Sequence, residues 1–599
     1  MTQKLPKRNH SEKEASLKTI WDLSIFYADE NDPRIEHDVR KAERACEKFV
    51  ASYQKKKFTE KKSLLLKSLS EYEALMAMPE FDRPMRYFGF RRELDAGDTV
   101  ADKRLNILSD RLTKAGNTLL FYELAIGAIA PSEKRSLLKD SNFSHYHYYL
   151  SELFADAKHR LTEPEERILN LKSLPASALW VAGSDKILNQ RVVRFRGKDV
   201  PLMEALNLVN TLPTAPRRAL WNTSIDACIE HAPIAENEIN AIVLNKKIND
   251  ELRGYPKPYS ATVLGNENTE QSIEALVDAV TDRFDISARF YALKARMHGE
   301  QKLLYPDKNA PYGKGIRIPF TEAVDTLRAV FYDLNPEYGR ILDRMLAGGQ
   351  IDVYPKKGKS GGAFCASGVK QPTFVLLNQV DDMHSLTTFA HEMGHAIHSE
   401  RSKTQPTLYQ DYSTATAETA STLFENLVFE TLLDTLTERE QIVALHGKLN
   451  DEIAAIMRQI AFFNFERDLH TTIRQEGSMT KEEMATLLQK HLSAYLGKKV
   501  SVTERDGYSF VYVPHFRMFF YVYTYAYGSL VSNVLSQKWK ADSSYIKEID
   551  TFLTAGGSAS PETIFKSIGI NTADPEFFKN GLKVLDEKVA RLERLIKKS

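Results

Sequence analysis

Cysteine, glycine and proline are all scarce in this chain of 599 residues. The three cysteines, Cys46, Cys228 and Cys365, are too few and too far apart for a disulfide framework or a cysteine-based metal site. The 28 glycines and 23 prolines make up less than a tenth of the sequence, below the roughly 12% of an average protein. So few turn-forming residues favour long helices and argue against a fold built from many β-hairpins.

A net charge of one sign is also missing. The 81 Lys and Arg residues balance 80 Asp and Glu residues, which leaves a net charge of +1. Because no extended basic field follows from this balance, nucleic acid and anionic lipid surfaces are not expected as partners. With 43% hydrophobic residues, the sequence predicts a large folded core rather than a disordered chain.

No hydrophobic run is well suited to a membrane. Residues 518–537 carry no charge, but they include four tyrosines, which belong at the interfaces of a bilayer rather than along its centre. Residues 1–18 have no apolar core, so no secretory signal is predicted. We therefore expect a cytoplasmic protein without a membrane span.

The spacing of apolar residues predicts helices along most of the chain. Between residues 304 and 381, glycine and proline become frequent, and two short β-like runs occur at 351–354 and 373–377. A small sheet within a helical protein is the simplest interpretation. A short strand and turn at 192–197 marks a boundary, which predicts an N-terminal helical domain over residues 1–200 and a catalytic domain over residues 201–599.

One motif carries chemistry. His391, Glu392 and His395 fit H-E-x-x-H, a signature of zinc peptidases, within a segment of helical periodicity. On a helix the two histidines project from one face, one turn apart, where both can bind a single zinc ion. Glu392 lies about 100° around the helix, which suits a general base that takes a proton from a zinc-bound water.

A catalytic zinc ion needs a third protein ligand. The extended motif H-x-x-G-x-x-H fails here, because His398 and Arg401 stand where it requires glycine and histidine. A helix predicted to begin at Ser413 offers Glu418 instead. Glu425 lies seven residues later on the same face, and we expect it to accept a hydrogen bond from a ligand histidine. His398 is expected to support the site rather than to bind the metal.

The segments 391–398 and 417–426 resemble the thimet oligopeptidase family of zinc metallopeptidases, and within it the oligoendopeptidase F group. Residues 21–24, the loop at 358–363 and the strand at 374–378 resemble the same group. The resemblance implies a mainly α, two-lobed, zincin-like fold with a deep channel and a small β-sheet near the zinc helix. It further implies cleavage of internal bonds in short peptides, with folded proteins excluded by the channel.

The resemblance also implies roles for individual residues. Family members bind one zinc ion through two histidines and a downstream glutamate, here His391, His395 and Glu418, and use the motif glutamate, here Glu392, as the base. They also place a histidine and tyrosines from a late helix over the substrate, and the segment 514–528 fits that region.

His515 carries over most clearly from that late segment. Tyr521 and Tyr525 are four residues apart, on one face of the predicted helix, and either can donate a hydrogen bond to the oxyanion that forms during hydrolysis. The strand at 373–377, with Phe374, Val375 and Leu376, is predicted to bind the substrate backbone as an added strand.

Two alternatives stay open at this point. A dipeptidyl carboxypeptidase, an exopeptidase, would need a cation such as Arg517 to bind the terminal carboxylate of its substrate. A non-catalytic, zinc-containing peptide-binding protein would have four protein ligands around the metal and no need for Glu392. We favour a zinc-dependent endopeptidase whose partners are short peptides.

Overall fold

The protein is described by a computed structural model that covers residues 17–598. Helices dominate the first half of the chain, and one hairpin interrupts them among the described residues. The first half contains the following helices: Pro33–Tyr53 (α1), Lys62–Met76 (α2), Arg83–Leu94 (α3), Thr99–Asn117 (α4), Leu120–Gly127 (α5), Pro131–Leu137 (α6), His147–Asp156 (α7), Glu163–Ser173 (α8), Leu179–Gln190 (α9), Leu202–Leu208 (α10), Thr214–Leu252 (α11), Ser260–Gly265 (α12), Glu270–Thr281 (α13) and Phe284–Met297 (α14).

The second half is helical as well, apart from five short strands among the described residues. Its helices are Phe320–Leu334 (α15), Pro336–Gly348 (α16), Met383–Ser402 (α17), Thr414–Leu433 (α18), Glu438–Ile453 (α19), Gln459–Glu476 (α20), Lys481–Leu496 (α21), Glu504–Gly507 (α22), Tyr523–Ala541 (α23), Ile546–Ala555 (α24), Pro561–Ser567 (α25) and Pro575–Lys598 (α26). Within residues 17–598, no helix combines the length and apolar character needed to cross a membrane. The prediction about a secretory signal falls mainly on residues 1–16, which lie outside the described residues.

The strands form three small sheets. They are Val192–Phe195 (β1), Lys198–Pro201 (β2), Leu303–Leu304 (β3), Ile351–Asp352 (β4), Phe364–Ala366 (β5), Phe374–Leu376 (β6) and Val500–Ser501 (β7). β1 and β2 form the predicted strand and turn, and β3 pairs with β7. In the third sheet the order is β4-β6-β5, with β6 parallel to β4 and antiparallel to β5. The predicted fold class, mainly α with a small sheet near the helix that carries the motif, is therefore confirmed.

The chain divides into two compact units. One comprises Met1–Phe121 with Arg317–Gln410, and the other comprises Tyr122–Ile316 with Asp411–Ser599. The division into domains at residue 200 remains a prediction, and the bounds of the compact units lie elsewhere along the chain.

The sheet β4-β6-β5 lies at the centre of the first unit, between two layers of side chains. Phe374 and Leu376 of β6 belong to an aromatic core that includes Trp21, Phe26 and Phe90. The rings of Trp21 and Phe90 lie 5.5 and 5.1 Å from that of Phe374. On the opposite face, α17 packs against β5 and β6. Because side chains alternate between the faces of a strand, β6 contacts the aromatic core with one face and α17 with the other. The strand therefore fixes the position of α17 relative to the core.

Trp21 and Lys359 tie this sheet to the chain around it. The indole Nε1 of Trp21 donates a hydrogen bond to the carbonyl of Val375 at 2.8 Å. The side chain of Lys359 is completely buried, and its Nζ lies 2.7 Å from a carboxylate oxygen of Asp352. The same ammonium donates to the carbonyls of Tyr354 and Leu377 at 2.9 and 2.5 Å. The strands thus depend on two side chains that satisfy buried backbone oxygens.

Replacing Trp21 with phenylalanine keeps an aromatic ring but removes the donor to β6. We expect Trp21→Phe to lower the free energy of unfolding by about 1–3 kcal/mol, because a buried carbonyl loses its partner. Urea denaturation of the two proteins measures the change. The matched control is Trp180→Phe at an indole that is 41% exposed, where an effect within about 0.5 kcal/mol is expected. Equal effects of both substitutions would contradict this role of Trp21.

Candidate active site

The helix that carries the motif begins at Asp382. The carboxylate of Asp382 accepts a hydrogen bond from the backbone N–H of Ser385 at 2.8 Å, which caps α17. Leu386, Phe389 and Met393 are fully buried along one side of α17. This apolar stripe fixes the rotation of the helix and therefore the direction in which the motif residues point.

The two motif histidines lie side by side on α17. The ring centroids of His391 and His395 are 4.9 Å apart, and their planes are nearly perpendicular. Burial, with smaller contributions from His391 and His398, lowers the pKa of His395 to about 3. At neutral pH the His395 imidazole is therefore uncharged, which is the form that binds a metal.

Glu392 lies between the histidines in sequence and is 7% exposed. Its carboxylate is close enough to β5 to affect Cys365. Burial raises the pKa of the Cys365 thiol, and the negative charge of Glu392 raises it further. Glu392 thus shares the α17 side of the sheet with the middle residue of β5.

Glu418 is positioned by a close contact between two helices. Ser413 caps α18 through the backbone N–H of Thr416, as predicted. On α23, Gly528 faces the backbone of α18 so closely that a Cβ at this position would lie 2.9 Å from Cβ and 3.1 Å from the carbonyl carbon of Glu418. Only glycine allows this approach without moving one of the helices.

His391, His395 and Glu418 each offer one ligand atom, and these three atoms lie within 4.8 Å of one another. Two imidazole nitrogens and a carboxylate oxygen form a donor set that fits a divalent metal ion. Three protein ligands leave a coordination position for solvent or substrate, as in catalytic rather than structural sites. The residues present therefore fit the metal that the sequence motif implies.

Glu425 and His398 lie near this site in sequence, and their predicted supporting roles stay predictions. Glu425 accepts a hydrogen bond from the ammonium of Lys448 at 2.5 Å. Lys448 is itself buried. His398 is fully buried, and burial lowers its pKa to about 3. His398 is thus an enclosed side chain, whereas the carboxylate of Glu425 is partly exposed and paired with a buried ammonium.

His515, Tyr521 and Tyr525 form an aromatic cluster in the second unit. The Tyr521 hydroxyl lies 2.5 Å from Nδ1 of His515. Burial, followed by the nearby charge of Arg458, lowers the pKa of His515 to about 4, so this imidazole is neutral at pH 7. Burial first, then Tyr525, raises the pKa of Tyr521. The ring of Tyr521 lies 5.5 Å from that of His515 and 5.9 Å from that of Tyr525, so Tyr521 contacts both.

The prediction that Tyr521 and Tyr525 share a helical face is wrong. Tyr525 belongs to α23, but Tyr521 lies in the turn before this helix. Phe519 and Phe520 precede it with φ angles of 50° and 62°, a left-handed conformation that is strained for such bulky residues. The buried carboxylate of Glu466 stabilises the turn, since it accepts a hydrogen bond from the backbone N–H of Phe520 at 3.0 Å.

The prediction that Phe374, Val375 and Leu376 bind substrate as an edge strand is also wrong. These residues form β6, which pairs with β4 on one edge and with β5 on the other. All three side chains are fully buried, so β6 has no edge to offer. Within residues 17–598, β5 is an outer strand of this sheet and keeps one unpaired edge. Its middle residue, Cys365, lies on the side of the sheet that faces α17.

Arg517 is not available to bind a substrate carboxylate. Its guanidinium forms an ion pair with Glu238 at 2.9 Å, and the two side chains are 6% and 0% exposed. It also donates hydrogen bonds to the carbonyls of Phe510 and Val513 at 2.6 and 3.0 Å. Arg517 is therefore a structural residue, which removes it as the candidate cation for the exopeptidase alternative.

A mainly helical protein with this motif and this donor set is a metallopeptidase. A family model described as "Peptidase family M3" matches residues 319–584, and one described as "Oligopeptidase F" matches residues 126–189. Together the two models match more than half of the chain. The chain belongs to peptidase family M3, in its oligopeptidase F group.

Individual relatives agree with this assignment. The chain is 26% identical over 551 residues to oligopeptidase PepF of Bacillus subtilis (strain 168). The aligned region covers 88% of this chain and 81% of the relative. A protein structure from Chlamydophila abortus matches with a TM-score of 0.84 at 22% identity, over 97% and 99% of the two chains. Oligoendopeptidase-F from Enterococcus faecium matches with a TM-score of 0.68 at 19% identity, over 94% and 98%. At these identities the two structures show the fold alone.

The contact at Gly528 predicts how metal binding responds to one added methyl group. We expect Gly528→Ala to weaken zinc binding about tenfold or more, because the new Cβ displaces the backbone at Glu418. Competition with a chelating indicator measures the affinity without reference to activity. The control is Gly447→Ala on α19, where an added Cβ meets nothing within 4 Å. Unchanged zinc affinity in Gly528→Ala would contradict the positioning role of this glycine.

Proposed function

We propose that this protein is a zinc-dependent endopeptidase that hydrolyses internal peptide bonds of short oligopeptides. His391, His395 and Glu418 would hold one zinc ion, and Glu392 would act as the general base. The observation that carries the proposal is the gathering of three ligand atoms within 4.8 Å, with an intact glutamate between the two histidines. The word oligopeptidase in the names of the relatives supports the class of substrate.

When bound, zinc would supply a Lewis acid that lowers the pKa of a water molecule and polarises the scissile carbonyl. Glu392 accepts the proton that this water loses on attack, and it then delivers the proton to the departing amine. The position of Glu392, 7% exposed on α17, suits this shuttle, since a carboxylate shielded from bulk water keeps the proton within the site.

Tyr525 is our proposed donor to the oxyanion. The Tyr521 hydroxyl is already engaged by His515 at 2.5 Å, so Tyr525 is the free end of the chain His515–Tyr521–Tyr525. If Nδ1–H of His515 donates to Tyr521 and Tyr521 donates to Tyr525, the Tyr525 proton is left to stabilise the oxyanion. His515 and Tyr521 then orient Tyr525 rather than contact the oxyanion.

The free edge of β5 is our proposed site for the substrate backbone. An extended peptide would add there as a fourth strand, with main-chain hydrogen bonds that give affinity with little sequence preference. Cys365, the middle residue of β5, shares the α17 side with Glu392, so this edge runs beside the proposed base.

A non-catalytic zinc protein is a poorer interpretation. The possible metal-binding group within residues 17–598 has three members, His391, His395 and Glu418, whereas a structural zinc ion usually has four protein ligands. A structural site would also give no reason for a shielded carboxylate at position 392.

Replacing Glu392 with glutamine tests the proposed base. We expect Glu392→Gln to retain zinc and to lose about 10²–10⁴-fold in kcat, because the amide cannot accept the proton. Zinc content and kcat on a fluorogenic nonapeptide are measured on the same samples. Glu322→Gln, at an exposed residue of α15, is the matched control. If Glu392→Gln cleaves as fast as the wild type, Glu392 is not the base.

The same assay separates an endopeptidase from the exopeptidase alternative. Peptides with free and with amidated carboxyl ends are expected to be cleaved at the same internal bond and at similar rates. Loss of cleavage on amidation would favour the dipeptidyl carboxypeptidase. A long unfolded protein is expected to be a poor substrate, and equal cleavage of protein and nonapeptide would argue against restriction to short peptides.

The two tyrosines are expected to differ in their effects on turnover. We expect Tyr525→Phe to lower kcat about 10²-fold with little change in KM, as for the loss of an oxyanion donor. Tyr521→Phe should have a smaller effect, because it removes only the group that orients Tyr525. Tyr527→Phe, on the same helix with its ring packed against Phe565 and Phe578, is the control. A larger loss for Tyr521→Phe would reverse the assignment.

A further inference from the structure

The two faces of β5 differ, and a peptide bound along its edge would meet both. The antiparallel register pairs Phe364 with Leu376 and Ala366 with Phe374, so Phe364 and Ala366 share the face of the aromatic core. Cys365 points to the opposite face, towards α17. Side chains alternate along a strand. If a peptide adds to the edge of β5, one set of its side chains would therefore point to the α17 side of the sheet, and the other set would point to the side of α3.

An open cavity of about 470 Å³, closer to a surface groove than to an enclosed chamber, lies on that side of the sheet. One face of α3 forms most of its lining, and the remainder comes from α4 and from Phe364 of β5. Its apolar walls are Met85, Phe90, Leu105 and Phe364. This volume is within the range of ligand pockets in proteins, and it is ample for one long side chain.

α3 is tied to the β5 segment at both ends, which fixes the cavity beside the strand. The backbone N–H of Ser360, ahead of β5, donates to the carbonyl of Glu93 at 2.8 Å. After β5, the carbonyl of Ser367 accepts a hydrogen bond from Nη2 of Arg86 at 2.7 Å. α3 therefore runs antiparallel to the β5 segment. Glu93 lies beside the residues that precede β5, and Arg86 lies beside those that follow it.

The charge of the cavity is negative. Arg86 forms an ion pair with Asp82 at 2.6 Å, so these two lining residues neutralise each other. Glu93, the third charged lining residue, is half-buried. Among the described residues its carboxylate has no ion-pair or hydrogen-bond partner. Apolar walls with one uncompensated carboxylate match a side chain that has an aliphatic stem and a cationic end.

We propose that this cavity, defined by Met85, Glu93, Phe90, Leu105 and Phe364, binds a lysine or arginine side chain of the peptide substrate. The aliphatic stem would lie against the apolar walls, and the cationic end would pair with Glu93. This inference rests on the proposed peptidase function. It predicts that the enzyme prefers peptides with a basic residue at one position, or at two positions two residues apart, along the bound strand.

A positional series of peptides tests the proposal. A neutral decapeptide frame carries a single lysine, norleucine or glutamate, moved through each position, and kcat/KM is measured for each peptide. For the wild type we expect lysine to exceed glutamate at one position or at two positions separated by one residue. Glu93→Gln should lower the ratio of lysine to norleucine at that position about three- to fivefold, the scale of a partly exposed ion pair. Glu47→Gln on α1, at an exposed glutamate, should leave the ratio unchanged.

Filling the cavity gives an independent test. Gly89 lines it, and an added Cβ at this position meets nothing within 4 Å. Gly89→Leu should therefore lower kcat/KM for lysine and norleucine peptides but spare peptides with alanine at that position. Gly116→Leu on α4, where an added Cβ also meets nothing within 4 Å, is the matched control.

The outcomes separate this proposal from the proposed function. If Glu93→Gln changes kcat/KM for the lysine and norleucine peptides by the same factor, the cavity does not select a basic side chain. If neither Glu93→Gln nor Gly89→Leu changes any ratio, the cavity does not bind substrate, although cleavage of the neutral frame still supports the peptidase function. If the wild type cleaves no peptide of the series while loaded with zinc, the proposed function itself fails.

Discussion

A strand of three residues, β6, is held on both edges and on both faces, and the candidate site depends on this constraint. Its edges are used by β4 and β5, one face is covered by the aromatic core around Trp21, and the other is covered by α17. Because side chains alternate on a strand, a change in register would exchange its two faces. The sheet thus influences the direction of the motif histidines and places β5 as an outer strand beside α17.

Burial determines the protonation states in the site. It lowers the pKa of His395 to about 3 and that of His515 to about 4, so both imidazoles are neutral near pH 7. For His395 this leaves a nitrogen lone pair for a metal. For His515 it allows a hydrogen bond with Tyr521 without a positive charge. Under the proposed function, the same physical cause prepares His395 to hold the metal and His515 to orient a tyrosine.

Local signals in the sequence predicted the helices and the donor set well. Ser413 begins a helix as predicted, because capping depends on neighbouring residues only, and Thr162 and Asp382 cap helices for the same reason. The H-E-x-x-H spacing and the carboxylate 23 residues after the second histidine led to His391, His395 and Glu418, whose ligand atoms the structure brings together.

Features that depend on distant residues were not predictable in this way. The sequence predicts a strand at 373–377, but the place of β6 between two partner strands follows from pairing with residues that are not its neighbours in sequence. The four-residue spacing of Tyr521 and Tyr525 predicts one helical face, whereas Phe519 and Phe520 adopt left-handed backbone angles just before Tyr521. Nothing local indicates that Glu466, more than 50 residues earlier, stabilises that turn.

The enclosed ammonium of Lys359 acts as an internal cation that joins three stretches of backbone. Its side chain has no contact with solvent, and it reaches the Asp352 carboxylate and two carbonyl oxygens. A reagent that acylates amines can reach this nitrogen only when the sheet opens locally. The labelling rate of this one lysine in the native protein would therefore report how often the strands beside the site separate, and occupancy of the β5 edge by a peptide would slow it.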